Sequence, residues 1–372
     1  MKKLLFSFLV LGLIMYSCSE KSTKSNIIRV GVFDGHGGAQ TCIWETIEAV
    51  KIDTGMLVTA ITSADIASGC LDTLDAIIIP GGGGSRQFLN LGYENHLKIK
   101  EFVKAGHGIV GICAGAYLLS NTPEYACLQM NGAQGIDIEH DNRGHGLAKF
   151  TLNEEGKKIF PELANRDTSY VYYYEGPVLV DAPDSITYET FAIMQSDVHE
   201  EGDAPSNMTN NKPFFIGNTY GKGKVFSTIA HPEATPGMRW LIPRMVRWTL
   251  NKETITYPEN CVRPDLFNKE ILFTKEMLKK EASLYSVLLY GKEAEKKEAL
   301  NYLQSTISWD AKRWVQGLLY DSSANIRVLA AEYISNSEFT HYFPDIQAAY
   351  NNEKDKEAKE KIGNALTFLK MK

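Results

Sequence analysis

The stretch Gly108-Ile-Val-Gly-Ile-Cys113-Ala-Gly-Ala-Tyr117 decides how this chain is read. Gly108 to Ile112 is an apolar run of strand length, and a helical pattern opens at once with Ala114 and continues to about Ser120. A strand that turns directly into a helix lifts the residue between them clear of the sheet edge. The turn is sterically crowded and needs small neighbours on either side. Gly111 and Gly115 meet that need, and the residue so lifted is Cys113. The helix N-terminus beside it presents free backbone N–H groups and favours a thiolate.

Two more motifs follow predicted strands. His231-Pro-Glu233 closes the strand Lys224 to Ile229. A cysteine nucleophile needs a base, and the base needs a third group to fix its tautomer. Residues two apart on an extended segment point to the same side, so Glu233 can orient the His231 ring. Pro80-Gly-Gly-Gly-Gly84 follows Asp75 to Ile79, a strand that reads as buried on both faces. A glycine loop there lets the Gly82 N–H join that of Ala114 as an oxyanion hole. The loop lacks the Lys-Ser/Thr of a P-loop and does not match a dinucleotide fingerprint. All three motifs fall at the carboxyl ends of strands, where open α/β sheets place their sites.

Around them, strands at Ile27–Phe33 and Met56–Ile61 alternate with helices at about Thr41–Val50 and Asn95–Ala105, which predicts parallel pairing in a doubly wound sheet. The middle, roughly 127–225, carries short alternating strands such as Tyr170–Tyr174 and Thr187–Met194. Tyr220-Gly-Lys-Gly223 reads as the turn of a hairpin. An apolar-periodic helix at Met238–Leu250 turns Trp240 and Trp248 toward the sheet as core. Pro258, Asn260 and Pro264 mark a linker, and the chain beyond it reads as helical throughout. Helix openings near Glu293, Asn325 and Glu357 recur at about 32–34 residues, a weak repeat that resembles HEAT-type units, with a plain helical bundle as the alternative.

The order strand-Pro80-Gly-Gly, Gly111-Ile-Cys113-Ala-Gly115, His231-Pro-Glu233 resembles the class I glutamine amidotransferase superfamily. With Tyr117 and the downstream Tyr173-Tyr-Glu-Gly-Pro177, it is similar within that superfamily to the N-terminal domain of biotin–protein ligases of the fungal type. The resemblance spans about 27–250. It implies a flavodoxin-like parallel sheet, Cys113 as nucleophile, His231 as base, Glu233 as its orienting partner, and Gly82 and Ala114 as oxyanion donors. One departure matters: glutamine amidotransferases usually carry Gln four residues after the nucleophile, where this chain has Tyr117. Glutamine-dependent biosynthesis is therefore not expected, and neither is biotinylation.

Other residues carry weaker signals. His36, in the loop after the first strand, is expected on the same sheet edge as Cys113, where it could touch substrate. Arg86 could bind a substrate carboxylate. The Tyr172–Tyr174 run reads as a packing edge with one ring able to wall the site. Glu139, His140 and His145 are of metal-binding type, but Gly144 and Gly146 point to a mobile loop. No metal and no cofactor are expected.

At the N-terminus, Lys2 and Lys3 precede an apolar run from Leu4 to Tyr16, too short to span a bilayer comfortably and of signal-peptide type. Ser17-Cys18 at its end resembles a bacterial lipobox, which implies lipidation of Cys18. The expected layout is signal peptide and lipobox 1–18, tether 19–26, amidotransferase-like domain 27–252, linker 253–268 and helical domain 269–372. Of the other cysteines, Cys42, Cys70, Cys127 and Cys261 allow three disulfide pairings, and none is assigned. A formal net charge of -6 with no basic stripe argues against nucleic acid.

The sequence thus points to a lipid-anchored envelope protein, periplasmic or on the outer membrane. Its α/β domain would be a cysteine hydrolase or amidase acting on a small amide, peptide or ester. Its C-terminal helices would be suited to a protein partner. The alternative is a non-catalytic binding or scaffold protein on the same fold.

Overall fold

A computed structural model describes residues 27–183, 185–202 and 204–372. The expected signal peptide, the tether and Cys18 lie outside the described residues. The first half alternates as expected. Strands β1 (Ile28–Phe33), β2 (Met56–Ile61), β3 (Ala76–Ile79) and β4 (Gly108–Ile112) are interleaved with helices α1 (Gln40–Val50), α2 (Ser63–Ala67), α3 (Gly84–Leu91) and α4 (Tyr93–Ala105), and α5 (Ala114–Leu119) follows β4. Helix α3 was not foreseen. It opens inside the glycine run, and Gly92 ends it.

The middle contributes β5 (Ala133–Gly135), β6 (His145–Leu152), β7 (Ser169–Tyr174), β8 (Leu179–Asp181), β9 (Glu189–Met194), β10 (Pro213–Tyr220) and β11 (Gly223–Thr228). Helices α6 (Glu154–Ile159) and α7 (Leu241–Thr249) pack beside them. Helix α7 starts later than its apolar period predicts, two residues ahead of Pro243, which is tolerated only in a first turn.

Ten of the strands, including β12 (Ile271–Leu272) from the C-terminal region, form one mixed sheet in the order β12-β6-β9-β10-β11-β4-β3-β1-β2, with β7 paired to β6, while β5 and β8 pair with each other apart from it. From β2 through β1, β3 and β4 to β11 all pairs are parallel. This is the 2-1-3-4-5 order of flavodoxin-like sheets, with β11 as the fifth strand. The inserted strands extend the sheet antiparallel beyond it. Helices cover both faces of the parallel half. Ile78 packs in the core under α1 and α7, whereas Ile77 and Ile79 pack with α4, so this strand is apolar at every position.

The C-terminal region differs from expectation in one respect. It opens with a short strand, β12 (Ile271–Leu272), that pairs with Leu147 and Gly146 of β6. Helices α8 (Lys275–Tyr290), α9 (Glu293–Ser305), α10 (Ala311–Leu318), α11 (Ala324–Asn336), α12 (Phe343–Asn352) and α13 (Lys356–Lys370) follow, with their own apolar core. The segment before β12 is anchored too, since Tyr257 and Cys261 are buried. The five described cysteines are all free thiols.

The helical region docks on the α/β region through buried charge. Lys312 on α10 pairs with Glu45 on α1, each almost fully buried. Glu338 accepts from the Gly237 N–H (2.9 Å) and pairs with Arg263. Burial pushes the Glu45 carboxyl up and the Lys312 ammonium down, so each holds its charge only through the other. Removing one partner of such a pair strands the other. Lys312→Met should therefore cost about 3–5 kcal/mol in denaturant unfolding. Lys312→Met combined with Glu45→Leu should recover most of that loss.

Candidate functional site

The parallel register assembles the site. Ile79 of β3 pairs with Gly111 of β4, and Ile112 of β4 pairs with Thr228 of β11. Three adjacent strands therefore end together, and the glycine loop, Cys113 and the His231 segment leave the sheet side by side. Cys113 has φ 51° and ψ -110°, the strained conformation expected of a strand-to-helix elbow. Its N–H donates to the Thr228 carbonyl (2.8 Å), which ties the elbow to β11. Gly115 is required by close approach: a Cβ there would lie 2.0 Å from the Ile79 carbonyl oxygen.

The His231 segment is equally constrained. The His231 N–H donates to the Tyr172 carbonyl (2.7 Å), and the Thr235 hydroxyl donates to the His231 carbonyl (2.8 Å). The Tyr172 N–H in turn donates to Thr235 Oγ1 (2.8 Å). His231 Nδ1 meets Glu233 Oε1 at 2.7 Å, with both side chains buried. Burial alone would lower the imidazole, but the Cys113 thiol and the Glu233 carboxylate beside it raise it well above its ordinary value. The Cys113 side chain lies close enough to the His231 ring to interact with it electrostatically, and its thiol donates to the Tyr174 carbonyl (3.4 Å).

A cavity of about 530 Å³ opens over Cys113. Gly82 and Ala114 line it. The bridge that joins Gly82 to Gly38 uses the flanking Ala39 and Gly83 N–H groups, which leaves the Gly82 N–H outside that ladder. At φ +139°, with Gly37 O only 2.2 Å from where a Cβ would sit, Gly82 cannot be replaced without strain. Arg86 and Tyr117 also line the cavity. His36 does not: it is exposed, and its N–H donates to Asn90 Oδ1 (3.0 Å), turned aside by the loop that carries it. The Gly144–Gly146 segment is built in rather than a free loop. Arg143 is fully buried against Asp137 and donates to Tyr173 Oη (2.7 Å), and His145 pairs with Glu201 (2.6 Å).

Several residues of the site were not read as such. Cys42 on α1 is a second thiol close to His231, and burial pushes it up. Among the described residues, Cys42, His231 and Glu233 are the group whose ligand atoms, within 4.8 Å of one another, could hold a metal ion. Trp309 and Asp310, in the turn between α9 and α10, reach the cavity from the helical region. Their only sequence signal is an aromatic–acid pair between two helices. Glu175, quoted above only as part of a motif, lines the cavity with φ 47°.

A family model described as the N-terminal region of biotin–protein ligase matches residues 28–244. No curated protein matches the chain in sequence. Among solved structures, a cytoplasmic protein of Salmonella typhimurium is similar at 15% identity and TM-score 0.39, covering 60% of this chain and 97% of its own. A ThuA-like protein from Parabacteroides merdae is similar at 14% identity and TM-score 0.44, covering 63% and 94%. The glutaminase domain of CTPS from Trypanosoma brucei, solved with bound acivicin, is similar at 12% identity and TM-score 0.41, covering 62% and 97%.

Glu175 makes the site pH-sensitive in a checkable way. Burial, and next the neighbouring Glu201, push its carboxyl up to about 7 from 4.5. Between those values the folded protein keeps a proton that the unfolded chain releases. Its stabilising contribution is thus present at low pH and lost as pH rises through 7. Thermal melts of Glu175→Gln should gain on wild type between pH 5 and pH 8; a pH-independent difference would refute this.

Proposed function

Because the chain belongs to the biotin–protein ligase N-terminal family and its glycine loop, Cys113 and His231 leave adjacent strands together, we propose that it is a cysteine amidase. The observation that carries the reading is Cys113, held at positive φ on an elbow beside an imidazole that a buried carboxylate orients. Its substrate is a small amide, peptide or ester. The Cys113 thiolate attacks the carbonyl carbon, and the oxygen takes up the electron pair facing the Gly82 and Ala114 N–H groups. When the C–N bond breaks, the His231 imidazolium gives its proton to the leaving amine. Water, deprotonated by His231, then cleaves the thioester. Glu233 fixes the tautomer and steadies the imidazolium throughout.

The lipobox-like Ser17-Cys18 supports a place for this chemistry at an envelope membrane surface, with Cys18 as the acylated residue. Among the described residues no helix is long and apolar enough to cross a membrane. Expression in a bacterial host with labelled fatty acid should label wild type and leave Cys18→Ala unlabelled; equal labelling would remove the anchor.

The triad is tested by iodoacetamide alkylation, with the modified peptide mapped by mass spectrometry to separate Cys113 from Cys42. His231→Ala should slow modification of Cys113 by about tenfold or more, since the imidazolium partner of the thiolate is gone. A Cys113 that reacts slowly, and equally with or without His231, would leave a binding domain in place of an enzyme.

A further inference from the structure

The turn between α9 and α10 is distorted. Ile307 has φ 56°, a left-handed conformation that a β-branched residue holds only when its surroundings impose it. Two residues on, Trp309 meets His231 edge to face, with ring centroids 4.5 Å apart at 86°. The same ring lies 4.9 Å from Tyr172 and 6.0 Å from Tyr174, both at steep angles. Asp310, next in the chain, is exposed on the rim of the catalytic cavity and makes no capping bond to α10.

The cavity is unevenly charged. Asp310, Glu175 and Asp141 line it, and among the described residues none of the three forms an ion pair. Asp137 also lines it but is engaged by Arg143. Against these stands Arg86, with its guanidinium lying over Gly83 at the far wall. A separate observation points to a ligand. The Tyr117 hydroxyl, on a side chain about nine-tenths buried in the cavity wall, has no hydrogen-bond partner. A buried hydroxyl left unpaired is costly, and a polar group of a bound molecule would satisfy it.

We propose that Trp309 and Asp310 complete the active site as a subsite for an ammonium group, which makes the substrate an amide bearing a primary amine. The inference rests on the amidase reading of Cys113. An ammonium is attracted both by carboxylates and by aromatic rings; Lys312 already lies over the Trp309 ring at 4.5 Å, and Asp310 and Glu175 stand beside Tyr174 on the cavity side. A hard metal cation would gain nothing from the two rings. An anionic substrate would face the carboxylates of Asp310 and Asp141, joined by that of Glu175 as pH rises through 7. The helical region is thus part of the site, and Asp310 is its specificity-determining residue.

The test uses the full chain and three thiol reagents, 2-bromoethylamine, iodoacetamide and iodoacetate, with rates at Cys113 read by peptide mass spectrometry and divided by those of free cysteine. The cationic reagent should be favoured over the neutral one, and Asp310→Asn should cut that preference by about fivefold, the effect of one unit charge at about 4 Å in water. Glu175→Gln, as a second variant, should cut it similarly at pH 8, where the Glu175 carboxyl is ionised. A loss of fold in either would show as a lower melting temperature and equal slowing or acceleration with all three reagents, which a change in charge preference would not. Cys113 that reacts readily but with the charge preference of free cysteine overturns the subsite and leaves the amidase reading intact. Cys113 inert to all three overturns both.

Discussion

Everything in the site depends on one backbone position. Cys113 stands at φ 51° because β4 cannot continue and α5 must start within a single residue. That compression survives only because Gly111 and Gly115 let the first turn of α5 lie against the chain: a Cβ on Gly111 would come within 2.7 Å of the Gly115 carbonyl. The cost of a strained residue is of order 1–3 kcal/mol, and here it is borne by the fully buried central strands β3 and β4. What the strain obtains is direction. The thiol is lifted off the sheet toward the His231 ring, and Ala114 lines the same cavity.

The fold was legible because its signals are local. Ala76-Ile-Ile-Ile79 is apolar at every position only if both faces are covered, and each face is. The three motifs came together because parallel pairing with short registers puts the carboxyl ends of neighbouring strands in line. What the sequence did not reveal is what depends on distant packing. Cys42 is an ordinary apolar-face residue of an amphipathic helix, and nothing near it in the chain says that His231 lies against it. His36 reads as a site residue from its glycine loop, yet it is exposed outside the cavity with its N–H hydrogen-bonded to Asn90, while Ala39 of the same loop lines the cavity. Arg143 looks solvated in a Gly- and Asn-rich stretch, and becomes a fully buried charge only when Asp137 and Tyr173 meet it.

The join between the two halves was the hardest part to read. A stretch with Pro258, Asn260 and Pro264 has the composition of a loose connection, but Tyr257 and Cys261 are buried in it. The helical region contributes Lys312 to a buried pair with α1 and Trp309 to the imidazole face. The first joins residues 267 apart in the chain, and neither has a local signature. Charge buried at such a join is more demanding of geometry than apolar packing, because either partner alone is penalised.

Strand β12 has a consequence for how such a protein can change over time. Its two residues pair with Gly146 and Leu147 on β6, just ahead of where Phe150 begins pairing with β9. A chain cut before β12 would lose its helices and also leave backbone donors and acceptors of β6 open to any passing strand. The helical region therefore cannot be shuffled as a cassette. Recombination that adds or removes it must respect the sheet of the other half, so the two segments are expected to be inherited together.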